Sequence, residues 1–140
     1  MPKSRLNFLI ATGLLMAVVL ACNVSTAKLS SVKISKDKTA SSETSSFGAN
    51  DTVYAVGTVS NAPGKVKVKG LLAFEDVEGQ KQGPIPGLEK TLELEGSGTA
   101  TYTFTPPPDG WPKGKYKIEV ILMDDSGAEK DKKSETFSVS

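Results

Sequence analysis

Nucleophilic chemistry has few parts to work with in this chain. There is one cysteine, Cys22, and no histidine at all. Serine and cysteine nucleophiles normally draw on a neighbouring base, most often an imidazole. Nothing in the sequence marks one serine as half of a Ser–Lys pair. Two carboxylates of matched spacing can cleave glycosides, but Glu75, Asp76, Glu78, Asp124 and Asp125 all fall in predicted turns, where solvated acids are expected. The same acids lack the glycine and terminal glutamate offsets of a calcium loop. Zinc would need histidine or free thiols, and no glycine-rich phosphate loop is present. The expectation is a non-catalytic protein without metal or cofactor. The residues that remain for recognition are apolar or turn-forming ones in loops: Asn61 in Asn61-Ala62-Pro63-Gly64, Ile85 between Pro84 and Pro86, and Trp111 after Pro106-Pro107-Pro108-Asp109-Gly110. Trp111 has two readings, an interface anchor on a stiff loop or a plug for the end of a folded core.

Cys22 has a telling setting. Lys3 and Arg5 open the chain, an apolar run follows from Phe8 to Leu20, and the small residue Ala21 precedes the cysteine. A basic start, an apolar middle and a small residue before the cut are the order of a secretory signal peptide. A bilayer-spanning helix needs about 20 apolar residues. Phe8 to Cys22 falls short of that and is interrupted by Thr12 and Gly13. Val19-Leu20-Ala21-Cys22 resembles the lipobox of bacterial lipoproteins. That resemblance implies removal of residues 1–21, lipidation of the Cys22 thiol, and attachment to a membrane on the extracytoplasmic side of the cell envelope. Acyl chains such as palmitate would supply the anchoring, at about 0.8 kcal/mol per buried CH₂.

The 118 residues after Cys22 hold 15 basic and 16 acidic side chains. This balance gives no electrostatic reason to expect nucleic acid as a partner. With Cys22 committed to lipid, no disulfide is available, so stability must come from an apolar core.

Asn23 to Ser46 contains eight serines and three threonines in 24 residues. Such a segment buries too little to offset its ordering entropy, so residues 22–46 read as a tether. Its root-mean-square reach is about 24–29 Å. Within it Val32 and Ile34 alternate with polar residues, and residues 31–35 read equally as an edge strand. From Phe47 onward the apolar period is two. Thr52–Ser60, Lys65–Phe74, Leu88–Glu95, Thr99–Thr105, Lys115–Met123 and Glu135–Val139 each alternate or are rich in β-branched and aromatic residues, with Gly, Pro, Asn and Asp between them. The lysines Lys65, Lys67 and Lys69 read as a solvated sheet face, and the prolines around Ile85 confine that stretch to an edge or a loop.

Short strands at this spacing predict an all-β, antiparallel sandwich over residues 47–140. Trp111-Pro112-Lys113-Gly114-Lys115-Tyr116-Lys117-Ile118 leading to Phe137-Ser138-Val139, with Phe47 and Asp51-Thr52-Val53-Tyr54 upstream, is similar to bacterial immunoglobulin-like domains. The resemblance implies that Tyr116 forms a tyrosine corner. The chain departs from antibody domains in having Ile118 at the second-cysteine position and no tryptophan in Lys65–Phe74. The function this implies is a lipid-anchored binding or accessory module that contacts an envelope protein or glycan through loops. The alternative is an envelope protease inhibitor using Asn61–Gly64 and Pro106–Trp111 as a wedge.

Overall fold

The computed structural model describes residues 27–140, and Cys22 with the signal-like segment lies outside them. The described residues form eight strands: β1 (Lys28–Ser35), β2 (Ser46–Phe47), β3 (Val53–Ser60), β4 (Val66–Val77), β5 (Gly83–Leu94), β6 (Gly98–Phe104), β7 (Gly114–Asp124) and β8 (Glu129–Val139). A three-stranded sheet of order β1-β3-β6 faces a five-stranded sheet of order β2-β8-β7-β4-β5. This is an all-β, immunoglobulin-like sandwich. Its ladders are antiparallel except for the two-residue pairing of β2 with β8.

Alternation decides which side of each strand is buried. Val53, Ala55 and Val59 of β3 and Ala100, Tyr102 and Phe104 of β6 face Val66, Val68 and Leu72 of β4 and Tyr116, Ile118, Val120 and Leu122 of β7. Tyr102 spans the gap between the sheets and donates its hydroxyl to the Val68 carbonyl at 2.6 Å. Burial pushes its phenol well above the ordinary tyrosine range. The lysines of β4 lie on the outer face of the five-stranded sheet, where Lys69 meets Glu89 at 3.5 Å and Lys67 stands across from Glu93.

Two expectations change. The tether assigned to residues 22–46 does not extend through that range, because β1 is a full edge strand paired along β3 from Lys28↔Ser60 to Ser35↔Tyr54. Leu29, Val32 and Ile34 are buried in the common core, and the Leu29 N–H donates to Asp131 of β8 at 2.8 Å. Burial of these side chains, about 1.5–3 kcal/mol each, offsets the ordering cost that a serine-rich segment cannot meet alone. The folded body therefore includes Ala27 and β1, well upstream of Phe47. The last strand is also longer than Glu135–Val139. Its first half, Glu129 to Ser134, has no apolar alternation and is held by the ladder to β7. Its charges suit an exposed edge, which they guard against adventitious pairing.

Two aspartates fix turns. Asp124 accepts from the Ser126 and Ala128 N–H groups at 2.9 and 3.0 Å and from the Ser126 hydroxyl. The Ser126 hydroxyl, followed by the Ala128 N–H, lowers the carboxyl to about 2. Asp37 is lowered to about 2 chiefly by the Thr39 hydroxyl and the Ser41 N–H. A depressed folded pKa gives stabilisation that is complete above the ordinary carboxylate value and is lost as pH falls through about 2. In an NMR titration the amides of Ser41, Ser126 and Ala128 should shift with midpoints near the lowered value. Midpoints at the ordinary value would show that these turn bonds do not form in solution.

Candidate functional site

One end of the sandwich carries an apolar cleft of about 380 Å³, lined by Phe74, Ile85, Leu88, Pro107, Trp111 and Pro112, with Pro86 and Thr105 at its margin. The loop from Pro106 to Pro112 forms one wall. Its prolines restrict the backbone, and the Gly110 N–H closes a turn onto the Pro107 carbonyl at 2.8 Å. Gly110 has φ +82°, and a Cβ there would meet Ala49 at 3.1 Å. Next to it the Trp111 backbone N–H donates to the Ala49 carbonyl at 2.7 Å.

The opposite wall comes from the edge strand β5. On β4, Leu71 pairs with Glu89 and Ala73 with Pro84, so Ile85 to Leu88 stand opposite the single residue Leu72. Pro84 and Pro86 have no N–H to give a ladder, and Gly87 has φ +81°. This bulge places half-buried Ile85 and Leu88 where they line the cleft.

An aromatic cluster underlies the site. Tyr116 is fully buried, stacks on Phe137 with centroids 5.2 Å apart, and meets Phe74 at 5.6 Å and Trp111 at 6.0 Å. Its hydroxyl donates to the Pro112 carbonyl at 2.6 Å, the arrangement of a tyrosine corner. Burial pushes this phenol up to about 12, so it remains a neutral donor. The floor and one wall of the cleft are thus fixed through one residue.

The recognition residues expected from sequence separate here. Trp111 is only 4% exposed, and its indole N–H donates to the Asp51 carbonyl at 2.8 Å. It plugs the sandwich end and contributes to the lining of the cleft; it is not a projecting anchor. Ile85 belongs to a strand bulge, not a loop, and shares the cleft with Trp111. Asn61 is exposed, adopts φ +58° and follows the C-terminal end of β3. Trp111 packs by Asp51, before the start of β3, so Asn61 lies at the other end of the molecule. Phe74, Leu88 and Pro112 were not expected at the site, whereas Pro107 belongs to the Pro106–Trp111 loop that the sequence offered as a wedge. Leu88, an apolar residue directly after Pro-Ile-Pro-Gly, was the one available sequence signal.

The site offers little chemistry. Thr105 is the one lining residue with an uncommitted type of polar side chain, since the Trp111 indole is already bonded. Among the described residues no group of three His, Cys, Asp or Glu side chains is placed to hold a metal ion. The arrangement can take up an apolar group and exclude water from it.

No protein-family model matches the chain, and no curated protein sequence is significantly similar to it. Solved structures do resemble it. A β-D-mannosidase from Dictyoglomus thermophilum aligns at TM-score 0.52 and 21% identity over 81% of this chain and 13% of its own. A β-glucosidase mutant from Listeria innocua, in complex with laminaribiose, aligns at TM-score 0.52 and 13% identity, over 84% of this chain and 16% of its own. A Niemann-Pick type C2 protein from the Japanese carpenter ant gives TM-score 0.49 and 14% identity, over 85% of this chain and 96% of its own. The chain spans less than a fifth of either glycosidase, and at these identities the likeness is one of fold alone.

Proposed function

We propose that this chain is a lipid-anchored, non-catalytic module of the bacterial cell envelope that holds a protein partner at the apolar cleft. The observation that carries the reading is the cleft's lining, rigid and apolar, with its aromatic floor already satisfied. Sites of this kind bind by excluding water from an apolar group. A glycan would need several hydrogen-bonding side chains and meets one hydroxyl, so a protein side chain or proline-containing segment fits better. The setting of Cys22 supports the anchor. The inhibitor alternative gains no support, since Asn61–Gly64 and Pro106–Trp111 stand at opposite ends of the sandwich and make no common wedge.

The test joins anchor and cleft. Cys22→Ala should yield an unprocessed precursor or a wrongly cut product, in either case without acyl mass. A photo-crosslinker at Pro107 in the otherwise native protein should capture a specific partner, and Ile85→Asp or Leu88→Asp should abolish the capture. Replacing Lys65, Lys67 and Lys69 together should leave it intact, because exposed charges are screened beyond about 8 Å at physiological salt. Capture that depends on the lysines and survives both aspartates would sink the cleft reading.

A further inference from the structure

From the position of β1 in the fold we infer that the sandwich stands end-on to the bilayer. The loops Asn61–Lys65, Glu95–Ser97 and Asp125–Ala128 would be turned to the lipid surface, and the apolar cleft would be presented at the far end to a protein lying beyond it. This rests on the proposal that Cys22 is lipidated. Between Cys22 and β1 lie Asn23 to Ala27, five residues. Fully extended they span at most about 18 Å. β1 begins at Lys28 beside Ser60, the last residue of β3. Through the ladders, that end also carries the starts of β4 and β6 and the turn from β7 to β8.

The cleft sits at the other end, where β3 begins beside Phe104 and Trp111 bonds Asp51. An eight-residue strand such as β3 runs about 25 Å, longer than the whole connection to the lipid. The chain between lipid and fold therefore cannot reach the cleft to fill it. Nor can the protein invert to press the cleft on the membrane. Lys69, Lys117 and Lys132 on the outer face of the five-stranded sheet are matched by Glu89, Glu75 and Glu119, so these lysines give that face no net pull toward anionic lipid. At the near end Lys28, Lys65 and Lys130 are offset by Glu95, Asp124, Asp125 and Glu129. Connector length, rather than the charge of these groups, keeps the near end at the lipid.

The full-length, processed protein can be tested in phosphatidylcholine vesicles that carry a short-range energy acceptor on lipid headgroups. A lipidated Cys22 has no free thiol, so an introduced cysteine takes the fluorescent donor alone. Donors at Pro63→Cys and Asp125→Cys should lose most of their emission, and donors at Lys38→Cys and Asp109→Cys should keep most of theirs. Inserting roughly 20 flexible residues between Thr26 and Ala27, about 25 Å of root-mean-square reach, should restore the near-end emission. Equal loss at both ends, a reversed pattern, or no response to the insertion overturns the orientation while the protein still floats with vesicles and carries acyl mass. Absence of acyl mass and of flotation instead shows that the lipid anchor itself is wrong, and the orientation falls with it.

Discussion

Replacing Tyr116 with alanine is expected to destabilise the sandwich by about 3–5 kcal/mol, as large aromatic truncations in packed cores do. The residue is fully buried and sits among Phe74, Trp111 and Phe137 at 5.2–6.0 Å. Each such aromatic pair contributes about 0.5–1.5 kcal/mol beyond burial. The cavity left behind cannot collapse easily, because two neighbouring strands and the proline loop are held by their own backbone bonds. Tyr116→Phe separates the two roles of the side chain. It keeps the ring and removes the bond to the Pro112 carbonyl, for an expected loss of about 0.5–1.5 kcal/mol. Urea unfolding with an unchanged m-value measures both. An alanine variant within about 1 kcal/mol of the parent would be ordinary for a surface site and incompatible with this cluster.

Gly114→Ala should be comparably damaging, at about 3 kcal/mol or more, for a reason in the backbone. Gly114 opens β7 with φ +145°, a conformation that side chains rarely adopt. A Cβ there would lie 2.6 Å from the Asp76 carbonyl oxygen and 2.8 Å from the Val77 Cα. These are backbone atoms of the adjoining β4, so no rotamer change relieves the overlap. The strand must shift where it pairs with both Val77 and Val139. A thermal or urea midpoint near the parent's would mean that this end of β7 is loose in solution. Gly127→Ala makes a useful control: it also has a positive φ, but nothing within 4 Å of the added methyl.

Much of the fold could be read from local sequence because the alternation of period two is itself a record of one buried face. Val66, Val68 and Leu72, or Tyr116, Ile118, Val120 and Leu122, define their strands without a partner in view. The prolines around Ile85 likewise exclude a central strand, and β5 is an edge. β1 could not be settled this way. Its three large apolar residues sit among serines and lysines, and what makes it a strand is the open edge of β3 nearby in space. The first half of β8 has the same explanation, being polar by composition and extended because β7 pairs with it. Trp111 was open between anchor and plug because the carbonyls that fix it, Ala49 and Asp51, come from about 60 residues earlier.

The sequence by itself determined strand character, the edge position of the proline stretch, the absence of histidine-based chemistry and the signal-like setting of Cys22. These follow from residue type and from spacing within about ten positions. The tertiary structure alone decided that Ile85, Leu88 and Trp111 share one cleft while Asn61 lies at the other end. It also decided that β1 belongs to the fold. Both depend on strand order and register, which are fixed by packing two sheets over a common core, and residues distant along the chain meet only once that packing is complete.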